Sequence, residues 1–294
     1  MIVDFTELVH AIGPVFAEIK TVTRRPKTLF HYTNADAFTK ILENKGIRAT
    51  HIRHLNDGSE IEYAIELLDA SLEALEQDRH CKLFLAKFDD LRRKIEKDNE
   101  LSPPFVFCMC SEGDLLSQWR EYGKGGTAYA MGFSTNKLLS PRFNCNPSLL
   151  RVEYDQHKQR RQTQNFLRAC FEYGAKKHIS KTPVETNELL KIISLLFRNL
   201  IAVRFKNPAF KSEHEWRLVV KPDTEATLGV QFRVSSFGIT PFATIEPQEQ
   251  RALPVTLVRI GPTRYPIIAS QATKQFLRKH GYDSDVVTSN IPIR

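Results

Sequence analysis

Phe205-Lys-Asn-Pro-Ala-Phe-Lys-Ser-Glu-His-Glu-Trp-Arg-Leu-Val-Val220 decides how this chain is read, because its second half has the composition of a strand with charge at alternate positions. From His214 to Val220 the period of two sends Glu213, Glu215 and Arg217 to one face and His214, Trp216 and Leu218 to the other. One face is acid, acid, base. Two readings are open on this stretch alone. An edge strand would turn the charges to water, where Glu215 and Arg217 are same-face neighbours of small energetic consequence. Alternatively, a carboxylate held on a rigid strand beside a fixed guanidinium is preorganised to oppose positive charge developing on a bound substrate.

Working outward, 294 residues with 41% hydrophobic and 26% charged content suit a globular protein able to fold on its own. A formal net charge of +8 favours polyanionic partners. Five cysteines make no disulfide framework, and no charged-then-apolar leader opens the sequence, so a reducing cytoplasm is expected. Apolar runs are broken by charge within about ten residues where a membrane span needs roughly twenty. A transmembrane protein is therefore not expected.

Upstream, Asp4–Lys20 has Phe5, Leu8, Ile12, Val15 and Ile19 at helical spacing, with Pro14 as a kink. Thr28–Thr33 reads as a strand running into Asn34, a helix N-cap, so His31 sits where a strand gives way to a helix. The helix Ala35–Asn44 ends at Lys45-Gly46 before a strand at Ile47–Ile52. Asp57 and Glu60 have capping-box spacing ahead of a helix reaching about Asp78, and Cys81–Lys97 reads as another helix. Phe105–Cys110 is a buried strand, with Cys108 and Cys110 one residue apart, a spacing that suits core thiols better than zinc. In Asp114–Tyr122 helical spacing gathers Leu115, Trp119 and Tyr122, either as packing residues or as one wall of a flat pocket. Gly123-Lys-Gly-Gly126 lacks the spacing of a Walker loop and precedes a strand, Thr127–Phe133, where such a loop should open a helix.

Further strands are expected at Leu149–Tyr154, Gly229–Ser235, Ile239–Glu246, Leu253–Ile260 and Ser284–Thr288. Helices are expected at Gln156–Lys177, Val184–Phe205 and Ile267–Lys279. Strands from both ends of the chain with helices between them predict one α+β domain over residues 1–294, with a central mixed or antiparallel sheet and helical insertions at about 57–98 and 156–205.

Taken together, His31-Tyr-Thr33, Leu55-Asn-Asp57, Ser117-x-Trp119-x-x-Tyr122-Gly123, Phe210-x-x-Glu213-x-Glu215-Trp-Arg217 and Ile260-Gly-Pro262 resemble a bacterial family known as domain of unknown function 2971. That family looks like a distant branch of the ADP-ribosyltransferase superfamily. Gly58 departs from its commonest form, in which Pro is frequent. The resemblance implies a split sheet of ADP-ribosyltransferase type, NAD as the substrate and no metal. It also implies a toxin or phage-defence role with an antitoxin partner. Cleaving the nicotinamide–ribose bond builds oxocarbenium-like charge, which a strand-mounted carboxylate stabilises.

On that resemblance Glu215 is the catalytic carboxylate, with Glu213 as its nearest substitute. His31 holds a ribose hydroxyl, and Tyr32, Trp119 or Tyr122 stacks on nicotinamide, with Thr33 and Ser111 also lining the site. Arg48 and Arg217 meet the pyrophosphate, since guanidinium forks suit phosphate oxygens. Structural alternatives stand beside these roles: His31 bonded to backbone, Trp119 in the core, and Arg217 as Glu215's partner. The basic residues Lys158, Arg160, Arg161, Arg168, Lys176 and Lys177 favour a nucleic-acid acceptor, RNA before DNA, because single strands offer unstacked bases. The alternatives are a protein acceptor, a glycohydrolase passing ADP-ribose to water, and an inactive nucleotide- or nucleic-acid-binding module.

Overall fold

Why the quoted stretch is buried becomes clear from its neighbours in the sheet. The computed structural model describes residues 3–20, 25–55, 60–87, 89–91, 93, 104–124, 126–179, 182–220, 229–235 and 238–292. Its strands are β1 (Thr28–Asn34), β2 (Ile47–His51), β3 (Phe105–Cys110), β4 (Ala128–Ser134), β5 (Ser148–Arg151), β6 (Glu215–Val220), β7 (Gln231–Ser235), β8 (Gly238–Ile245), β9 (Val255–Ile260) and β10 (Asp285–Thr288). They form one mixed sheet in the order β10-β9-β4-β1-β3-β2-β8-β7, with β6 paired to β3 and β5 to β6. Only β9 and β10 run parallel among these pairs. The expected α+β class with a mixed sheet is therefore observed.

The centre of this sheet is a fork. β3 pairs along its whole length with β6. Its opposite edge is shared, β2 taking Phe105 and Val106 and β1 taking only Cys110. Between those contacts, the backbone of Phe107, Cys108 and Met109 faces a gap between two diverging strands.

Contacts divide the chain into two compact units, where the sequence was read as one domain with insertions. One unit comprises Arg24–His54, Pro104–Val152 and Lys211–Arg294 and carries every strand. On one face of its sheet Leu29, Phe107, Met109, Phe133, Trp216 and Leu218 pack with Phe38, Ile41 and Leu42 of the helix Ala35–Glu43 and with Leu277 of the helix Pro266–Lys279. On the other face, near β1 and β4, Tyr32, Cys110, Ala128 and Ala130 pack with Trp119 from the helix Leu116–Tyr122. Asn34 caps the first of these helices as expected, accepting from the Ala37 N–H at 2.9 Å. Lys45, rather than Gly46, takes the left-handed turn that ends it.

The other unit comprises Met1–Thr23, Leu55–Pro103 and Glu153–Phe210, and its described elements are helical. Leu8, Ile12, Leu68, Phe84, Phe166, Phe171, Leu189 and Ile193 belong to its core. Gly174 leaves room for its neighbours there, because a Cβ would lie 2.6 Å from Leu189 Cδ2 and 2.9 Å from Phe84 Cζ, so these packed side chains would have to shift.

Several expectations are corrected. The amino-terminal helix is two helices, Phe5–Ala11 and Gly13–Lys20, broken just ahead of Pro14, whose missing N–H cannot continue the ladder. Residues Cys81–Lys87 form a 3-10 helix, and the strand expected to reach Tyr154 stops at Arg151. The helix expected through Phe205 ends at Leu196 and widens into a π-helix at Phe197–Ile201, then tightens at Ala202–Arg204. The Asp57 half of the capping box and residues 94–97 of the helix expected at Cys81–Lys97 lie outside the described residues.

Candidate active site around Glu215 and Cys110

β6 lies between β3 and β5, and all six of its residues are buried, which excludes the edge-strand reading. Its alternation also begins one residue later than the sequence suggests. His214 has φ 48°, and Glu213 closes the 3-10 turn Pro208–Glu213, so Glu213 is not on the strand face shared by Glu215 and Arg217. A left-handed residue before the strand resets the period of two.

Glu215 and Arg217 do share that face, and their charges meet. Arg217 Nε donates to Glu215 Oε1 at 2.8 Å and Nη2 to Oε2 at 3.3 Å, with side chains 0% and 5% exposed for Arg217 and Glu215. Such a fork fixes the carboxylate plane and offsets the cost of taking both ions out of water. Arg217 is thereby engaged by Glu215, and this geometry does not support the pyrophosphate role expected of it.

Cys110 is directly opposite Glu215 on β3, so its thiol is on the same face. The Glu112 N–H donates to Cys110 Sγ at 3.2 Å, and the Ser111 N–H donates to the His214 carbonyl at 3.2 Å, tying the end of β3 to the turn that opens β6. Burial foremost, then the negative carboxylates of Glu112, Glu213 and Glu215, push the Cys110 thiol up to about 12. By register Glu215 is the carboxylate placed beside this sulfur. Glu213 acts on it electrostatically from the turn rather than from the strand. Glu112, which is exposed, went unnoticed in the sequence.

The aromatic residues pack rather than open a pocket. Trp119 is 4% exposed, meets Tyr32 edge-on at 4.7 Å, and donates its indole N–H to Asp114 Oδ1 at 2.7 Å. A Cβ on Gly261 would lie 2.9 Å from Trp119 Cε3, so the glycine of the Ile260-Gly-Pro262 motif leaves room for this ring. Tyr32 is as firmly held, donating to the Glu112 carbonyl at 2.9 Å and accepting from the Leu115 N–H at 3.0 Å, and burial raises its pKa. Tyr122 is partly buried against the same cluster. Tyr32 and Trp119 thus have packing and hydrogen-bonding partners within the fold. Asp114, also missed in the sequence, accepts from Ser289 Oγ at 2.5 Å and the Asn290 N–H at 3.0 Å. Burial raises its pKa, but these bonds and the Trp119 bond outweigh it and hold the carboxyl below the usual range.

His31 points to the opposite face from Glu215. The pairings Phe30 with Cys110 and Cys110 with Glu215 put Phe30, not His31, on Glu215's side. The His31 ring stacks on Phe107 at 4.1 Å, and Nδ1 lies 2.8 Å from the Cys108 carbonyl. A carbonyl only accepts, so Nδ1 carries the proton and Nε2 is left as an acceptor. His31 thus supplies a donor to β3 in the fork, where β1 has ceased to pair. Burial lowers its pKa to about 4, with Arg233 adding to the effect, so the ring is neutral at pH 7. Thr33 is 5% exposed and pairs with Tyr129 on β4. Arg48 is on β2 opposite Thr244 of β8, with its guanidinium over the Phe242 ring.

Residues 118–218 match the family model described as a protein of unknown function, DUF2971. The matched stretch contains Trp119, Tyr122, Glu213, Glu215 and Arg217, and stops short of His31, Thr33, Arg48 and Ser111. No curated protein and no solved structure matches the chain.

The expected basic surface is partly neutralised. Arg168 Nε donates to Asp78 Oδ2 at 3.1 Å, and Lys177 pairs with Glu7 at 2.5 Å. Lys158, Arg160, Arg161 and Lys176 are exposed on the helix Gln156–Lys176. Among the described residues no group of three His, Cys, Asp or Glu side chains is arranged to hold a metal ion, and no helix is long and apolar enough to cross a membrane.

Proposed function

We propose that the protein is an NAD-dependent ADP-ribosyltransferase whose acceptor is a nucleic acid, RNA before DNA. The observation that carries this reading is Glu215 held on a buried strand beside Cys110, its carboxylate fixed by two hydrogen bonds from Arg217. In the reaction the ribose C1′–nitrogen bond breaks, its electron pair leaves with nicotinamide, and positive charge spreads over C1′ and the ring oxygen. An oriented carboxylate group in a low-dielectric setting opposes that charge without having to reorganise. An acceptor oxygen or nitrogen then bonds to C1′ and gives up a proton. Glu215 is the fixed carboxylate in this scheme, and Glu112 and Glu213 are the more exposed ones. His31 acts at a distance, by bridging β1 to β3. A toxin or phage-defence role with an antitoxin partner belongs to this proposal through the family resemblance only, and a cytoplasmic location through five cysteines that make no disulfide framework.

The depth of the Glu215–Arg217 pair favours a second reading, in which the pair is structural and the chain binds nucleotides or nucleic acid without turnover. Nicotinamide release from NAD by wild type and Glu215→Gln separates the two. Loss of release in a folded variant supports catalysis; absence of release in the wild type supports the binding module. The acceptor is identified by incubating labelled NAD with RNA, DNA and protein together and locating the label.

A further inference from the structure

β7 is built the wrong way round for an ordinary edge strand. Phe232 and Val234 are 67% and 86% exposed, while Arg233 between them turns inward and is partly buried. Paying apolar exposure to bury a guanidinium calls for a reason. Register places Arg233 opposite Thr240, and Thr240, Phe242 and Thr244 share one face of β8 with Arg48 and Thr50 of β2. On that face Arg233 Nη2 donates to Thr50 Oγ1 at 2.8 Å. The Arg233 Cζ lies 5.9 Å from the Phe242 ring centre and the Arg48 Cζ 5.1 Å from it.

Two guanidiniums therefore share one aromatic ring. Neither has an ion pair with a carboxylate among the described residues, and Arg233 Nε is buried with no hydrogen-bond partner. Burial first, and then the neighbouring Arg48 charge, lower the Arg233 pKa. Like charges held together with a donor unspent are favoured only when an anion arrives to take up the charge and the hydrogen bond.

We propose that Arg48, Arg233 and Thr50 form a site for a phosphate-bearing anion, seated against Phe242. Guanidinium forks match phosphate oxygens in geometry, and the ring keeps both side chains extended in place. The site does not depend on NAD cleavage: it concerns what is bound, and only its assignment to the pyrophosphate of NAD rests on the proposed function.

Inorganic pyrophosphate titrated into the full chain by calorimetry at low salt tests the proposal. Binding is expected in the wild type, weakened at least about tenfold in Arg48→Gln and in Arg233→Gln, as loss of one charged hydrogen-bonding group implies. Using two variants on different strands keeps the test open if one fails to fold. Pyrophosphate binding is read without NAD or turnover, so failure of the catalytic reading leaves this result untouched. Competition then names the source: displacement by NAD assigns the anion to a dinucleotide, and displacement by a single-stranded oligonucleotide assigns it to nucleic acid. No pyrophosphate binding at low salt, or binding unchanged in both folded variants, overturns the proposal.

Discussion

Lowering the pH from 7 to 5 should cost the fold about 2 kcal/mol through His31 alone. The folded pKa is about 4, against an ordinary value of 6.5, chiefly because burial disfavours the imidazolium. A depressed histidine binds fewer protons folded than unfolded, so its neutral form stabilises the fold above about pH 6.5 and that contribution is lost as pH falls toward 4. The full shift corresponds to roughly 3 kcal/mol, of which most is lost by pH 5. The assay is urea unfolding at pH 7, 6 and 5, followed by the fluorescence of Trp119 and Trp216. Both tryptophans lie in the strand-bearing unit, so the signal reports that unit. His31→Asn removes the titrating ring. Aspartates with lowered pKa values, Asp114 among them, also lose stability in acid but do so in both proteins. The wild type should therefore lose about 2 kcal/mol more than the variant between pH 7 and pH 5. Parallel profiles would refute the reasoning and mean that His31 is solvated or already protonated when folded.

Two other outcomes are expected. Trp119→Ala should destabilise by about 3–5 kcal/mol, as for other buried Trp truncations, with unchanged NAD affinity in whatever fraction stays folded; a selective loss of NAD affinity would return Trp119 to the binding site. Affinity for a single-stranded oligonucleotide should fall steeply with salt, and replacing Arg160 and Arg161 together by Ala should flatten the slope by about one to two units. An unchanged slope would remove the helix Gln156–Lys176 from the interface.

Much of the fold was legible because its strands obey local rules. Thr28–Asn34, Phe105–Cys110 and Glu215–Val220 combine β-branched and aromatic residues with turn signals at their ends, and each forms nearly as expected. What failed was decided by single backbone positions or by partners far along the chain. His214 at positive φ moved Glu213 off the strand face, which no residue preference announces for a histidine. The fork at β3, and with it His31's side of the sheet, depends on pairings between segments about 75 residues apart, which periodicity does not encode. Trp119 was undecided between core and pocket because its fate rests on Gly261, which is remote in sequence and small enough to admit the ring. Arg233 escaped notice although it carried a signal, a charge flanked by Phe232 and Val234 in a strand.

Nicotinamide release from NAD by the wild type beside Glu215→Gln decides whether Glu215 is a catalytic carboxylate. Because the change leaves Arg217 buried with a neutral partner, it should also cost about 3–5 kcal/mol, so folding is checked by circular dichroism and melting before rates are compared. A second protein, with Glu215→Gln and Arg217→Gln together, keeps the test usable if the single variant unfolds. The account predicts release by the wild type and a fall on the order of 100-fold or more in whichever variant is folded. Wild-type rates in a folded Glu215→Gln protein, or no release by the wild type, would contradict it.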